Sequence, residues 1–348
     1  MKFKIGIISG CLFLSHLISP AQNINEQPYT LSPKFMKASE LYSNGNYNAA
    51  LKLFKELYND NTIETYYEKA NTTFYLANCH QLVGDSYLAE IYYNDFLRNY
   101  PENLHNNEAI FALGQIQFAN KSYRTAIETF NTIDVNNLKS NVLDEYYYKL
   151  GYCYLKTNKT EEAKATLQKS IQSDTEYGRA ALYFYGMIAY DENNFQEAQS
   201  CFEKLSNDEV FGKEAEQYLI RIYSINKQFD SILAEYEKYT EVKNKKDNIE
   251  NIKIFADAFF QKGDFDKSIE LYNSIDKNLT PKESYQLAFS YLSTEEYEKS
   301  IPYFEDAVAA KDTLSQNALY HIGICHLKTG NKNFAATSFR EASKMTFD

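Results

Sequence analysis

The chain has no tryptophan, and only 12 glycines, 6 prolines and 5 cysteines in 348 residues. So few helix breakers, with no segment of sustained period-two alternation, leave no expectation of sheet. Basic charge is also in deficit: the formal net charge is −11, which argues against nonspecific binding to DNA, RNA or an anionic membrane. No phosphate-cradling glycine loop, G-x-S-x-G, H-E-x-x-H, zinc spacing or EF-hand loop is present. The 47 acidic residues read as solvated faces from which no catalytic pair stands out. No enzyme activity, cofactor or metal is expected. What the chain does have is 31 tyrosines and 23 phenylalanines, an apolar content of 44% and a charged content of 24%, the balance of a folded soluble protein.

The first 21 residues have the layout of a secretory signal. Lys2 and Lys4 form a positive start, "IGIISGCLFLSHLIS" (5–19) is an apolar run, and "SPA" (19–21) offers a small-residue cleavage site before Gln22. The run is too short for a membrane span. "ISGC" (8–11) resembles a lipoprotein box, but it sits near the start of the apolar run, so cleavage after Ala21 is the preferred reading. Loss of Lys2 and Lys4 leaves 34 basic against 47 acidic residues, a net charge of −13. The expected product is exported, in the periplasm or associated with the outer membrane or cell surface. Residues 22–32 read as a short linker.

The remainder is repetitive. "GNYNAALKLF" (45–54), "KSYRTAIETF" (121–130), "GDFDKSIELY" (263–272) and "EEYEKSIPYF" (295–304) share an aromatic, a small residue three places on, and an aromatic four places beyond that. The central residues are Ala50, Ala89, Ala126, Ala163, Ala198, Ile232, Ser268, Ser300 and Ala335, spaced by 39, 37, 37, 35, 34, 36, 32 and 35. Each repeat reads as two amphipathic helices around a short turn. The expected fold is all-α, an array of nine repeats over 33–348. A flexible point is possible near 240–251, after a repeat with large residues, Ile220 and Ile232, at its closest contacts.

This pattern resembles the tetratricopeptide repeat family, whose unit is a pair of antiparallel helices stacked into a right-handed superhelical solenoid. With the central small residue at place 20, place 8 holds Ala38, Ala77, Gly114, Gly151, Gly186, Ile220, Ala256, Ala288 and Gly323. Place 24 holds Phe54, Tyr93, Phe130, Leu167, Phe202, Tyr236, Tyr272, Phe304 and Phe339. Small residues at 8 and 20 let the two helices approach, and the large one at 24 fills the space beside them. The family's tryptophan at place 4 is missing from every repeat, and its terminal proline survives clearly only at Pro101. Cys79, Cys153 and Cys325 share place 10, read as small apolar groups, and no disulfide is expected. In "HIGICH" (321–326) only His321 and Cys325 share a helix face, so core packing is preferred over a metal site.

The resemblance implies that places 5, 9 and 12 of each first helix face a partner groove; their spacing puts them on one stripe. Carried over, they give an aromatic groove of Phe111, Phe118, Tyr148, Tyr152, Tyr183 and Tyr190, with a secondary set of Arg221, Lys253, Tyr285, Phe289 and Tyr320. Tyrosine and phenylalanine bury much apolar area at low entropic cost. The alternative is that these rings only pack neighbouring repeats together. The family's basic clamp for acidic tails wants Lys at place 5 and Asn at place 9. Only Lys253 and Asn78 match, in different repeats, so that activity is not expected. The implied function is a noncatalytic scaffold binding a protein or peptide. The alternative is a glycan- or small-ligand-binding protein of the outer membrane, which the lack of tryptophan disfavours. Phe339, Ala342 and Met345 on the last helix are read as apolar surface left open for self-association or for more repeats. The composition and the "SPAQ" start resemble exported repeat proteins of Bacteroidota.

Overall fold

The computed structural model describes residues 31–241, 249–275, 279–309 and 313–345. The proposed leader and most of the linker lie outside these residues, as does most of the segment near 240–251 expected to bend. The chain divides into two compact units, Met1–Ile188 and Ala189–Asp348, with the division falling inside one helix.

The first unit contains α1 (Pro33–Ser43), α2 (Tyr47–Tyr58), α3 (Tyr66–Leu82), α4 (Ser86–Asn99), α5 (Asn106–Ala119), α6 (Tyr123–Phe130), α7 (Ser140–Lys156), α8 (Thr160–Leu167) and most of α9 (Glu176–Asp191). The second contains α10 (Phe195–Leu205), α11 (Gly212–Ile225), α12 (Phe229–Glu241), α13 (Ile249–Lys262), α14 (Phe265–Asn273), α15 (Pro281–Ser293), α16 (Tyr297–Val308), α17 (Thr313–Lys328) and α18 (Lys332–Lys344). The fold is all-α, a solenoid of helix pairs, and no strand occurs among the described residues.

Helix starts follow local chemistry. Ser32 and Thr65 cap the first turns of α1 and α3 through their hydroxyls, Ser32 accepting from Phe35 N and Thr65 from Glu68 N. At α15, Thr280 and Glu283 form a reciprocal capping box around Pro281. Pro302 sits inside α16 without ending it.

Each pair is closed by the same turn. One residue per turn adopts the left-handed conformation: Gly45, Gly84, Lys121, Asn158, Asn193, Lys227, Gly263, Glu295 and Gly330, with φ between 55° and 89°. In every case the following N–H donates to the carbonyl five residues back, as in Asp85 N to His80 O and Glu296 N to Tyr291 O, both 2.8 Å. This is the Schellman stop, which satisfies the last carbonyls of one helix while the chain reverses into the next. Each left-handed residue lies five positions before the residue at place 20, so backbone geometry and side-chain pattern give one register.

Inside the pairs, places 8 and 20 are buried. Ala38, Ala50, Ala77, Ala89, Ala256, Ser268, Ala288 and Ser300 are all 0% exposed. Ser268 and Ser300 donate to the carbonyls of Ala256 and Ala288 across their hairpins, at 3.1 and 2.8 Å. A Cβ on Gly151 would stand 2.6 Å from Leu167 Cγ, and one on Gly323 2.5 Å from Phe339 Cε1. Gly114 faces Phe130 in the same way. Ile220 and Ile232 are both buried in the α11–α12 pair. Cys79, Cys153, Cys201 and Cys325 are all buried.

Candidate functional site

In the first compact unit, α5, α7 and the start of α9 carry a continuous group of rings. Phe118 lies 6.4 Å from Tyr148 and 5.6 Å from Tyr152. Tyr148 and Tyr152 are 6.0 Å apart, one turn along α7, and Tyr177 lies 5.8 Å from Tyr148. Tyr123, at the start of α6, meets Tyr152 edge-on at 6.0 Å. All five rings are half-buried, and Phe184, fully buried, stands behind them 5.0 Å from Tyr152. Offset and edge contacts of this kind contribute about 0.5–1.5 kcal/mol each beyond burial, so the rings brace one another.

A shielded charge pair is set among the rings. Glu145 Oε1 accepts from Lys149 Nζ at 2.5 Å and from Gln115 Nε2 at 2.6 Å. The Lys149 and Glu145 side chains are only 15% and 12% exposed. The Lys149 ammonium also stands 5.5 Å above Phe118 and 6.0 Å above Tyr177. Attraction between a cation and ring faces offsets part of the cost of shielding it. Lys156 lies 5.0 Å over Tyr152 at the rim. Burial raises the phenol pKa of Tyr148 and Tyr152 above the ordinary value; at Tyr177, Glu145 and Glu176 add to burial. These hydroxyls therefore stay protonated at neutral pH and can donate to a ligand.

The sequence-derived set divides under this geometry. Phe118, Tyr148 and Tyr152 form the face. Phe111 and Tyr183 do not line it: at 8% and 2% exposure they are core, Phe111 lying 6.1 Å from Phe130. Tyr190 belongs to the second compact unit, where it meets Phe195 and Tyr218 edge-on at 5.5 and 5.1 Å. The polar members are engaged within the chain. Arg221 binds Glu250 through two hydrogen bonds of 3.1 and 2.8 Å, and Lys253 binds Glu283 at 2.8 Å. Each pair joins one first helix to the next, as Gln115 and Glu145 do. Asn78 is buried and accepts from Tyr93. Tyr285 and Phe289 stack at 6.3 Å and share His321, while Tyr320 is 52% exposed.

Of the apolar surface expected at Phe339, Ala342 and Met345, Ala342 turns inward while Phe339 and Met345 stay half-buried. One edge of Phe339 covers Gly323, Ala342 is buried, and Met345 packs on the cluster around Ala342. In "HIGICH" the candidate ligands face different neighbours: His321 stacks on Phe304, Cys325 is buried beside Ser300, and His326 stacks on Phe334.

Sequence reasoning missed place 6, two residues before each close-contact residue. Tyr75, Lys149, Phe184, Tyr218 and His321 occupy it, and each lies on rings of the preceding repeat. No shared residue type marks the position. Tyr177, one turn ahead of the repeat's usual start, was missed for the same reason.

Paired helices closed by small-on-large contacts and repeated in one register define a helical-repeat protein. The family model for the tetratricopeptide repeat matches residues 144–177, 180–206 and 284–313. Through these three matched segments the chain is similar to tetratricopeptide-repeat proteins. It is 24% identical over 208 residues to tetratricopeptide repeat protein 1 of Schizosaccharomyces pombe, across 49% of this chain and 20% of that protein, so it spans only a fifth of that relative's length. Among solved structures it is similar to a tetratricopeptide repeat protein from Parabacteroides merdae (13% identity, 74% of this chain and 97% of that one, TM-score 0.42). It is also similar to the C-terminal part of a repeat-containing protein from Cytophaga hutchinsonii (16% identity, 79% and 94%, TM-score 0.43). A third is YrrB, described as having an unusual peptide-binding site (18% identity, 63% and 97%, TM-score 0.41).

Proposed function

We propose that this chain is an exported, noncatalytic scaffold that holds a protein or peptide segment against the α5–α7–α9 face. Tetratricopeptide-repeat proteins are generally protein-interaction scaffolds, and that is the coarse function assigned here. The observation that carries the finer reading is the half-buried ring group Phe118, Tyr123, Tyr148, Tyr152 and Tyr177 around the Glu145–Lys149 pair. Rings supply apolar area on a braced support, and the phenols, Gln115 and the charge pair supply hydrogen bonds that set register. Export rests on the layout of residues 1–21, and the acidic net charge favours protein over nucleic acid as partner.

The test compares affinity capture from the native envelope by wild type and by a Tyr148→Ala, Tyr152→Ala variant with unchanged helical content. One or more partners should disappear with the variant. An unchanged partner set would remove this reading, and saturable oligosaccharide binding lost in the variant would replace it with the glycan alternative.

A further inference from the structure

Several junctions between repeats share one arrangement. The residue at place 6 is inserted into a surface formed by places 5, 9, 12 and 24 of the preceding repeat. Tyr75 stacks on Phe54 at 5.6 Å and lies 5.0 Å from Tyr42. Tyr218 stacks on Phe202 at 4.6 Å and meets Tyr190 at 5.1 Å. His321 stacks on Phe304 at 5.4 Å, with Phe289 at 5.4 Å and Tyr285 at 6.0 Å around it.

The α17–α18 pair presents the same receiving surface. Tyr320 and Phe339 stand 5.6 Å apart, as Tyr285 and Phe304 stand 5.4 Å apart. Here, however, no described helix inserts a residue, and Tyr320 and Leu327 are each 52% exposed. The complementary half is on α1. Its place-6 residue, Met36, is 53% exposed, although its neighbours Phe35 and Ala38 are buried in the α1–α2 pair. The described chain therefore holds one inserting residue without a receiver and one receiver without an insert.

We propose that these two faces join between copies: Met36 of one chain inserts beside Tyr320 and Leu327 of a second, continuing the repeat junction across molecules. Methionine suits the role, because its unbranched thioether adapts to an irregular ring-lined surface and makes favourable contacts with ring edges. The interface is heterologous, so association is head to tail and does not close at a dimer unless the geometry forms a ring. This proposal does not depend on the partner-binding reading, and Tyr148→Ala should leave association unchanged.

Sedimentation velocity on the purified chain over a wide concentration range tests it. Wild type should associate with rising concentration. Met36→Asp and Tyr320→Asp should each weaken association by about tenfold or more, since each places an unpaired carboxylate in an apolar contact. Mixed in equal amounts, the two variants should regain a species of twice the monomer mass and nothing larger, because each retains one intact face. Leu327→Asp replaces Tyr320→Asp if the latter loses helical content. A wild type that stays monomeric throughout overturns the proposal. So does association that survives Met36→Asp, which would indicate contact between two α17–α18 faces.

Discussion

At the scale of single residues, the close contact between places 8 and 24 decides how tightly a helix pair can shut. Gly151 is buried against Leu167, and a Cβ there would also meet the Leu167 backbone nitrogen at 3.3 Å. The backbone cannot swing aside as a side-chain tip could, so Gly151→Ala should force the α7–α8 pair apart. Overpacking of this type costs about 1–3 kcal/mol, against roughly 0.5–1 kcal/mol gained from alanine's better helix propensity. A net loss of about 1–2 kcal/mol in urea unfolding is the expected outcome, and an unchanged or raised midpoint would show that the pair has slack. Other repeats carry alanine at this place, so the cost is that of reseating a pair, not of abolishing the fold.

Histidine titration belongs to the same scale. His80 is 4% exposed, stacked on Tyr92 at 5.3 Å, with Nδ1 3.3 Å from Asp85 Oδ2 but no well-aligned hydrogen bond on either nitrogen. Burial pulls its pKa below the ordinary value, the Asp85 carboxylate opposing in part; burial lowers His321 as well. With the folded pKa below the unfolded one, the unfolded chain takes up protons first as pH falls. Stability from these groups is complete above the unfolded value of about 6.5 and declines as pH drops through it toward the folded value. The urea midpoint should fall between pH 7.5 and 5.5, and a His80→Gln, His321→Gln variant should lose that part of the slope. A midpoint that rises on acidification would contradict the assignment.

At the scale of elements, the turns were only half legible. Gly45, Gly84, Gly263 and Gly330 announce left-handed stops, but Lys121, Asn158, Asn193, Lys227 and Glu295 adopt the same conformation without a glycine. Asparagine tolerates it; lysine and glutamate do so at a cost of about 1 kcal/mol or more, held there by the helices on both sides. Lys227→Gly and Glu295→Gly should each stabilise the chain by about 0.5–1 kcal/mol, after the larger entropy glycine loses on folding. Thermal or urea unfolding would show this, and destabilisation would mean that the side chains contribute more than the backbone strain removes. Places 8, 20 and 24 were readable because one size of residue recurs at each. Place 6 was not, because Tyr75, Lys149, Phe184, Tyr218 and His321 each answer a different set of rings one repeat back. That contact is fixed by stacking between repeats, which no local pattern encodes. The pairing of Arg221 with Glu250 and of Lys253 with Glu283, about thirty residues apart in sequence, was hidden for the same reason.

At the scale of the molecule, many of the described aromatic residues pack repeat on repeat, and the rings proposed for recognition are a minority. Of five tyrosines in "DEYYYKLGYCYLK" (144–156), Tyr146 is core, and Tyr147 and Tyr154 pack on the α5–α7 cluster under Lys169 and Lys159. Tyr148 and Tyr152 are left on the first-helix face. The helical-repeat fold was thus legible in the sequence, while the composition of the face was legible only in part: Phe111 and Tyr183 share the stripe by spacing but turn inward. Photo-crosslinking in the native envelope is the most direct measurement of the central claim. A benzophenone side chain is placed at Phe118 in one variant and at the 74%-exposed Tyr87, away from the face, in another. The account predicts a discrete protein adduct from position 118, lost on adding Tyr148→Ala and Tyr152→Ala, and none from position 87. Adducts from position 87 alone, or adducts from 118 indifferent to the two tyrosines, would contradict it.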